Sequence, residues 1–139
     1  VVPSSCSMTI DRRLIPEEKM VDAKKEVEEV IKSLSQEDPQ LKIEVKSLLE
    51  AEAAVTSQSE KISKTLAKNV KQVAKVTPKF NLCTGFLDMR FLVNQARIST
   101  VSYGPGLLRV AHTADEYVLV DDLVIATKVL ALTAMDLLT

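Results

Sequence analysis

The sequence predicts a mixed α/β protein made of two incomplete units that meet near residues 51–57. Three observations indicate this. Apolar and polar residues alternate at 6–14 and 41–49, which is typical of half-buried strands. Apolar residues recur at helical spacing elsewhere. The small residues of AEAAVTS separate two such groups. A chain of 139 residues is one ordinary domain or two small ones, and we place the boundary between residues 55 and 56.

The first unit is predicted to contain a strand, a helix and a second strand. The first strand is CSMTIDRRL at 6–14, and the second is LKIEVKSLL at 41–49. Pro16, followed by two acids, marks the first turn of the helix between them, because proline and acids both favour a helix N-terminus. The polar loop at 35–40 ends this helix. Its apolar stripe consists of Ala23, Val27, Val30, Ile31 and Leu34.

The second unit is predicted to begin with a helix and an extended segment. Ser57 followed by Glu60 fits a capping box, in which each side chain accepts a backbone N–H of the first turn. Pro78 marks the return to extended chain, and PKFNLCTGF at 78–86 fits a strand that ends in a turn. The apolar stripe of the helix consists of Ile62, Leu66, Val70 and Val73.

The rest of the second unit is predicted to be a short helix at 87–95, a strand at 98–103, a loop and a final helix. Asp121 can cap the final helix, which should run to about Leu138. This helix is apolar on nearly every side, so we expect it to be buried.

Charge and composition exclude several classes of partner. The chain has 18 basic and 19 acidic residues and no tryptophan, so neither nucleic acid nor an anionic membrane is an expected partner.

No signal peptide opens the sequence, and the two cysteines form no CxxC motif, so a cytoplasmic location is expected. The longest apolar run, 118–138, reads as a core helix because it contains the charged residues Asp121, Asp122, Lys128 and Asp136.

The stretch YGPGLLRVAHTADEY, at 103–117, contains the only histidine of the chain, His112. A Gly-Pro-Gly turn precedes this histidine, and two acids follow it. From the residues alone, His112 is either a metal ligand or an ordinary loop imidazole. Gly104 and Gly106 either contact a ligand or are turn glycines that need a positive φ.

Four segments, in order, resemble the C-terminal part of the two-zinc amidohydrolase and exopeptidase family. That family includes acetylornithine deacetylase, succinyl-diaminopimelate desuccinylase, aminoacylase and glutamate carboxypeptidase. VVPSSCSMTIDRRLIPEEK at 1–19 resembles the family's lid strand. GFLDMRF at 85–91 resembles its Gly-Gly-Thr-Asp-x-Arg-Phe turn. YGPG at 103–106 and AHTADEYV at 111–118 resemble its Gly-Pro-Gly loop and its final metal-ligand loop.

The resemblance implies an identity for each unit. Residues 1–55 correspond to a partial ferredoxin-like lid, or dimerisation, unit, and residues 56–139 to the C-terminal piece of the catalytic zinc-peptidase-like α/β domain. Lid domains mediate dimers in this family, so a homodimer or higher oligomer through the lid unit is expected. A lone two-stranded sheet is marginal in water, which also favours pairing. A polypeptide that carries the missing N-terminal half is a further partner that the resemblance implies.

The resemblance also implies roles for particular residues. His112 falls on the family's last metal ligand, and Arg90 on the arginine that helps hold the substrate carboxylate. Gly104 and Gly106 fall on a loop whose backbone lines the substrate site. The remaining matches are Asp115 and Glu116, which fall on acids that support the metal-ligand loop, and Asp11 and Arg13, which fall on a polar pair of the lid strand.

The chain departs from the family pattern at three positions. Phe86 and Leu87 stand where the family has a glycine and a threonine or serine, and Leu107 stands where an acid is common. A flexible polar turn has therefore become bulky and apolar. For Arg90, a salt bridge to Asp88 is an alternative to a role in substrate binding.

The metal implied by the resemblance is zinc or cobalt, held by two histidines and two acids, with a glutamate as general base. This chain has neither a His-x-Asp motif nor a second histidine. A catalytic zinc takes about three protein ligands. We therefore expect a fragment of a zinc-dependent amide hydrolase for N-acyl amino acids or small peptides, inactive and without tightly bound metal by itself. The alternative is a non-catalytic dimerising module from a split or truncated gene.

Overall fold

The structure is a computed structural model that describes residues 3–139. Val1 and Val2, which open the lid-like motif, lie outside the described residues. The order of elements is α1, α2, a π-helical turn, a 3-10 turn and α3. Their bounds are Met20–Glu37 for α1, Lys61–Ala74 for α2, Phe91–Gln95 for the π-helical turn, Leu108–Val110 for the 3-10 turn and Val120–Leu138 for α3.

The chain divides into two compact units, Val1–Ala53 and Ala54–Thr139. The first contains α1, and the second contains α2, α3 and the two short helical turns. The predicted boundary, between residues 55 and 56, lies two residues beyond this division. The identities assigned to the units, a lid and a part of a catalytic domain, stay predictions.

The prediction of an α/β fold with a ferredoxin-like unit is wrong. None of residues 3–139 belongs to a β-ladder, and the described part of the chain is helical with extended connections. The segments 6–14 and 41–49 alternate as strands do, but their apolar side chains are exposed, as at Met8 (82%) and Val45 (61%). A strand needs a neighbour for its backbone hydrogen bonds, whereas a helix satisfies its own. Alternation of apolar and polar residues is therefore not sufficient to form a sheet.

The predicted strands of the second unit, 78–86 and 98–103, also form no β-ladder. A side chain takes the place of a strand partner at one point, because the backbone N–H of Thr100 donates to Oγ1 of Thr56 at 3.0 Å. Ser99 donates its hydroxyl to Oε2 of Glu60 at 3.3 Å. These bonds hold the segment 98–103 beside the start of α2 without any sheet.

Helix α1 begins at Met20, four residues after the predicted start at Pro16. The preceding residues form a separate turn, in which the backbone N–H of Glu18 donates to the carbonyl of Ile15 at 3.0 Å. The Glu18 carboxylate accepts the N–H of Ile15 at 3.0 Å and two bonds from the Arg12 guanidinium, at 3.0 and 2.7 Å. Because Glu18 is engaged in this turn, the helix starts beyond it.

Helices α2 and α3 form the core of the second unit. The buried residues Leu66 and Val70 of α2 pack against Val129 of α3, which is completely buried. Asn69, also buried, donates through Nδ2 to Oγ1 of Thr133 and to Oδ2 of Asp136, both at 3.2 Å. Apolar packing and a satisfied polar contact therefore join the same two helices. Partly buried residues around this cluster are Val73, Ala74, Val101, Tyr103 and Ile125.

The predicted helix that carries the stripe Ile62, Leu66, Val70 and Val73 is present as α2, but the predicted capping box is not formed. The hydroxyl of Ser57 accepts the N–H of Ser59 at 3.1 Å, and the helix begins later, at Lys61. The carbonyl of Ser57 accepts the N–H of Glu60 at 3.2 Å and the hydroxyl of the buried Ser63 at 2.8 Å. Ser57 thus organises the turn before the helix and does not cap it.

Helix α3 begins at Val120, one residue before the predicted cap Asp121, which lies in the first turn with Asp122. Acids in a first turn are stabilised by the positive end of the helix dipole. The expectation of a buried helix holds for one face only: Ala126, Val129 and Thr133 are buried, while the opposite face is exposed. Within residues 3–139, no helix combines the length and apolarity that crossing a membrane requires.

Candidate functional site

The Gly-Pro-Gly turn follows a segment that is attached to the α2–α3 core. Val101 and Tyr103 pack against that core, which places the turn directly beyond it. Burial, followed by the carboxylate of Asp122, raises the pKa of Tyr103 above its ordinary value. The turn itself needs a glycine at Gly106, where φ is +89° and an added Cβ would lie 3.4 Å from Cγ2 of Val118.

This turn and the loop that follows it border an open cleft of about 550 Å³. Predicted site residues from both motifs line this cleft. Gly104 and Gly106 belong to the Gly-Pro-Gly motif, and Glu116 belongs to the motif that contains His112. Much of the remaining wall is apolar, with Leu108 and Val110 among its residues. Glu116 is therefore the one charged residue among the described residues that line the cleft.

His112 occupies a left-handed backbone conformation, with φ of 62°, next to the cleft-lining Ala111. Its backbone N–H donates to Oε2 of Glu116 at 2.9 Å, and the N–H of Glu116 donates to the carbonyl of Thr113 at 3.2 Å. A left-handed conformation costs a non-glycine residue roughly 1–2 kcal/mol. The Glu116 carboxylate offsets this cost by holding the loop closed, while the imidazole remains exposed.

The three other charged positions implied by the resemblance, Asp115, Asp11 and Arg13, are on the surface. Asp115 is exposed in the turn before Glu116. Asp11 and Arg13, in the first unit, form an ion pair of 3.0 Å between Oδ2 and Nη2, with both side chains more than half exposed. Such exposed pairs contribute little stability.

Arg90, the predicted carboxylate ligand, is not part of the cleft lining, and its side chain is only 14% exposed. Its Cζ lies 3.5 Å from the ring centroid of Phe86 and 4.1 Å from that of Phe91. Its Nη1 donates to the carbonyl of Leu87 at 2.9 Å and lies 3.7 Å from Oδ1 of Asp88. The Arg90–Asp88 ion pair, which was the alternative role for Arg90, is therefore long, and the guanidinium also contacts two aromatic rings.

The sequence reasoning missed the aromatic contacts of Arg90. Phe86 precedes it by four residues and Phe91 follows it directly, in a segment that turns into a short helix. Phe86 lies before the helical residues, so helical spacing does not explain its contact with Arg90. The signal available in the sequence was the presence of two phenylalanines within four residues of Arg90, since arginine stacks on aromatic rings.

The described residues do not by themselves fit a catalytic metal. Residues 3–139 contain no group of three histidine, cysteine or acidic side chains placed to hold a metal ion. His112 is the only histidine in the sequence, and one Glu116 oxygen already accepts the His112 N–H. Since a catalytic zinc takes about three protein ligands, this loop can offer one nitrogen ligand but not a complete site.

The profile of peptidase family M20/M25/M40 matches residues 6–136, which is almost the whole chain. Members of this family are generally metal-dependent. No curated protein matches the chain, and no solved structure matches it. The family match confirms the resemblance at the level of the peptidase family, and it covers the loop that carries His112. The chain therefore belongs to peptidase family M20/M25/M40.

Proposed function

We propose that this chain supplies the C-terminal, loop-bearing part of a metal-dependent amide hydrolase that acts on N-acyl amino acids or small peptides. Deacylases such as acetylornithine deacetylase and succinyl-diaminopimelate desuccinylase are the members it resembles. The observation that supports the proposal most strongly is the conformation of His112. Lys75 and Arg97 also have a left-handed φ, of 58°, but among the described residues His112, with φ of 62°, is the one of the three that lies beside the cleft with its N–H bonded to a carboxylate. Strained backbone conformations cluster at functional sites.

Three parts of the loop have distinct roles in this proposal. His112 provides one nitrogen ligand, and the other metal ligands come from outside these 139 residues. Glu116 positions His112 through the 2.9 Å bond to its backbone N–H. The cleft between Gly104 and Val118 accepts an apolar part of the substrate. By itself the chain is expected to bind zinc or cobalt weakly and to have no hydrolase activity, because a single imidazole exchanges freely.

A complementation assay tests this proposal. The chain is co-expressed with the N-terminal half of a family deacylase, which carries the remaining metal ligands, and turnover of a panel of N-acyl amino acids is measured with zinc and with cobalt. We expect turnover only when both halves are present, and loss of turnover in His112→Ala. Arg109→Ala is the matched control, since Arg109 is exposed on the same loop. Turnover by the chain alone, or turnover that survives His112→Ala, would contradict the proposal.

A non-catalytic dimerising module is the second candidate, and the exposed apolar residues of the first unit favour it. Ile10 is 71% exposed and Leu48 is 71% exposed, on the two segments that were predicted as strands. A surface of this kind favours a partner. If complementation fails while a metal-independent dimer is observed, the module becomes the better description.

A reducing compartment such as the cytoplasm is part of the proposal. Cys6 and Cys83 are both exposed and both free in the described part of the chain. Exposed thiols stay free where glutathione and thioredoxin keep them reduced. Fractionation of cells that produce the chain, followed by thiol labelling, would test this location. Oxidised cysteines in a secreted fraction would contradict it.

A further inference from the structure

In the segment 86–91, the side chain of Arg90 is held by contacts with other residues of the same segment. The Arg90 side chain carries a permanent positive charge but is only 14% exposed. The ring centroids of Phe86 and Phe91 lie 3.5 and 4.1 Å from its Cζ, both within the range of a cation–π contact. These contacts come from the turn that leads into the π-helical segment and from that segment's first residue.

The hydrogen bonding of Arg90 is also internal to this segment. Nη1 donates to the carbonyl of Leu87 at 2.9 Å. The nearest carboxylate oxygen, Oδ1 of Asp88, lies 3.7 Å away on a side chain that is 94% exposed, so it contributes little. The guanidinium is therefore held mainly by two rings and a backbone carbonyl. A planar guanidinium suits both contacts, whereas the ammonium group of lysine has no planar face to stack.

We propose that Phe86, Arg90 and Phe91 form an internal clamp that fixes the segment 86–91, and that Phe86 covers the guanidinium against anionic ligands. Arg90 is then a positioning residue of this turn and does not hold a substrate carboxylate. Phe86 is the residue that decides between these two uses of Arg90. The inference does not rest on the proposed hydrolase function, because its test measures anion binding and not hydrolysis.

The test follows the Nε–Hε signal of Arg90 by NMR while N-acetylglycine, a small carboxylate, is added. In the wild type we expect an upfield ring-current shift of this signal and no saturable change with N-acetylglycine. In Phe86→Ala we expect the ring-current shift to decrease and carboxylate affinity at Arg90 to rise by about tenfold or more, as the cover is removed. Phe80→Ala is the matched control, since Phe80 is a half-exposed phenylalanine of the same unit.

Chemical modification provides a second readout that needs no variant. Phenylglyoxal should modify Arg90 about tenfold more slowly than the exposed Arg109, measured by peptide mass spectrometry. Equal modification rates would overturn the proposal, as would a saturable carboxylate shift on Arg90 in the wild type. If Phe86→Ala does not fold, Phe86→Leu, which keeps the apolar bulk without a ring face, replaces it. An unchanged ring-current shift in either folded variant, or an unchanged carboxylate affinity in a folded Phe86→Ala, would also overturn the clamp.

Discussion

At the scale of single residues, the loop that carries His112 depends on two left-handed backbone conformations. One is at His112, where φ is 62° and a glutamate carboxylate holds the backbone N–H. The other is at Gly106, where φ is +89° and the absence of a side chain removes the steric cost. The turn at Gly106 and the turn at His112 are thus stabilised by different means.

The two glycines of the turn allow a direct comparison. Gly106→Ala should destabilise the protein by about 1–2 kcal/mol, because alanine pays the left-handed penalty and its Cβ approaches Val118. Gly104→Ala is the matched control, since nothing lies within 4 Å of a Cβ built there. Urea unfolding monitored by circular dichroism measures both. Equal losses at the two positions would contradict the assignment of the turn geometry to Gly106.

At the scale of elements, the contact between α2 and α3 is centred on Val129, which is completely buried. Val129→Ala should lower the free energy of unfolding by about 2 kcal/mol, since removal of buried methyl groups costs both transfer energy and a cavity. Val124→Ala is the control on the same helix, because Val124 is 46% exposed. Denaturant unfolding should show a clearly larger loss at Val129. A similar small loss at both positions would mean that the two helices are not packed as described.

The turn before α1 should confer a pH-dependent stability on the first unit. The hydrogen-bonded Arg12 guanidinium, followed by the Ile15 N–H, lowers the pKa of Glu18 to about 2 from an ordinary value of 4.5. Because this pKa is lower in the folded state, the pair stabilises folding above about pH 4.5, and that stabilisation is lost as the pH falls towards 2. Nη2 of Arg12 also lies 3.2 Å from Oε2 of Glu26 in α1, so loss of the Arg12–Glu18 pair should destabilise this helix as well.

The measurement for this prediction is the stability difference between the wild type and Glu18→Gln, followed by circular dichroism from neutral pH downwards. The difference should narrow between pH 4.5 and 2. Subtracting the variant removes the contribution of other carboxylates, such as Asp136, whose pKa is lowered by hydrogen bonds from Lys68 and Asn69. A difference that does not change with pH would show that the Arg12–Glu18 pair adds nothing to stability.

At the scale of the whole molecule, we expect a homodimer or a higher oligomer at micromolar concentration. The first unit exposes apolar residues on both extended segments and on α1, where Val30 is 60% exposed. Burial of this surface against a second copy would remove apolar area from water, and a two-fold axis would make the contact self-complementary. Light scattering coupled to size exclusion measures the mass. Val45→Lys, at an exposed apolar position, should shift the population towards monomer, and Lys46→Gln is the neighbouring control. A stable wild-type monomer would refute this expectation.

The helices of this protein could be predicted from the sequence because helical hydrogen bonds are local. The apolar spacing of residues 62–73 and of 118–138 placed α2 and α3 correctly, and the boundaries changed only where side chains such as Glu18 and Ser57 formed turns of their own. The strands were predicted wrongly because a ladder needs a partner from elsewhere in the chain. Alternation describes one segment and contains no information about that partner.

The features of the candidate site also divide into those that the sequence predicted and those that it did not. The order of motifs indicated the family, and the short sequence distance from Gly104 to Glu116 was enough to predict that they share a loop. Three features depended on the tertiary structure: the bond from Glu116 to the His112 backbone, the left-handed conformation of His112, and the enclosure of Arg90 by Phe86 and Phe91. Each depends on side-chain rotamers and backbone angles within a short stretch of chain, and residue types alone do not specify them.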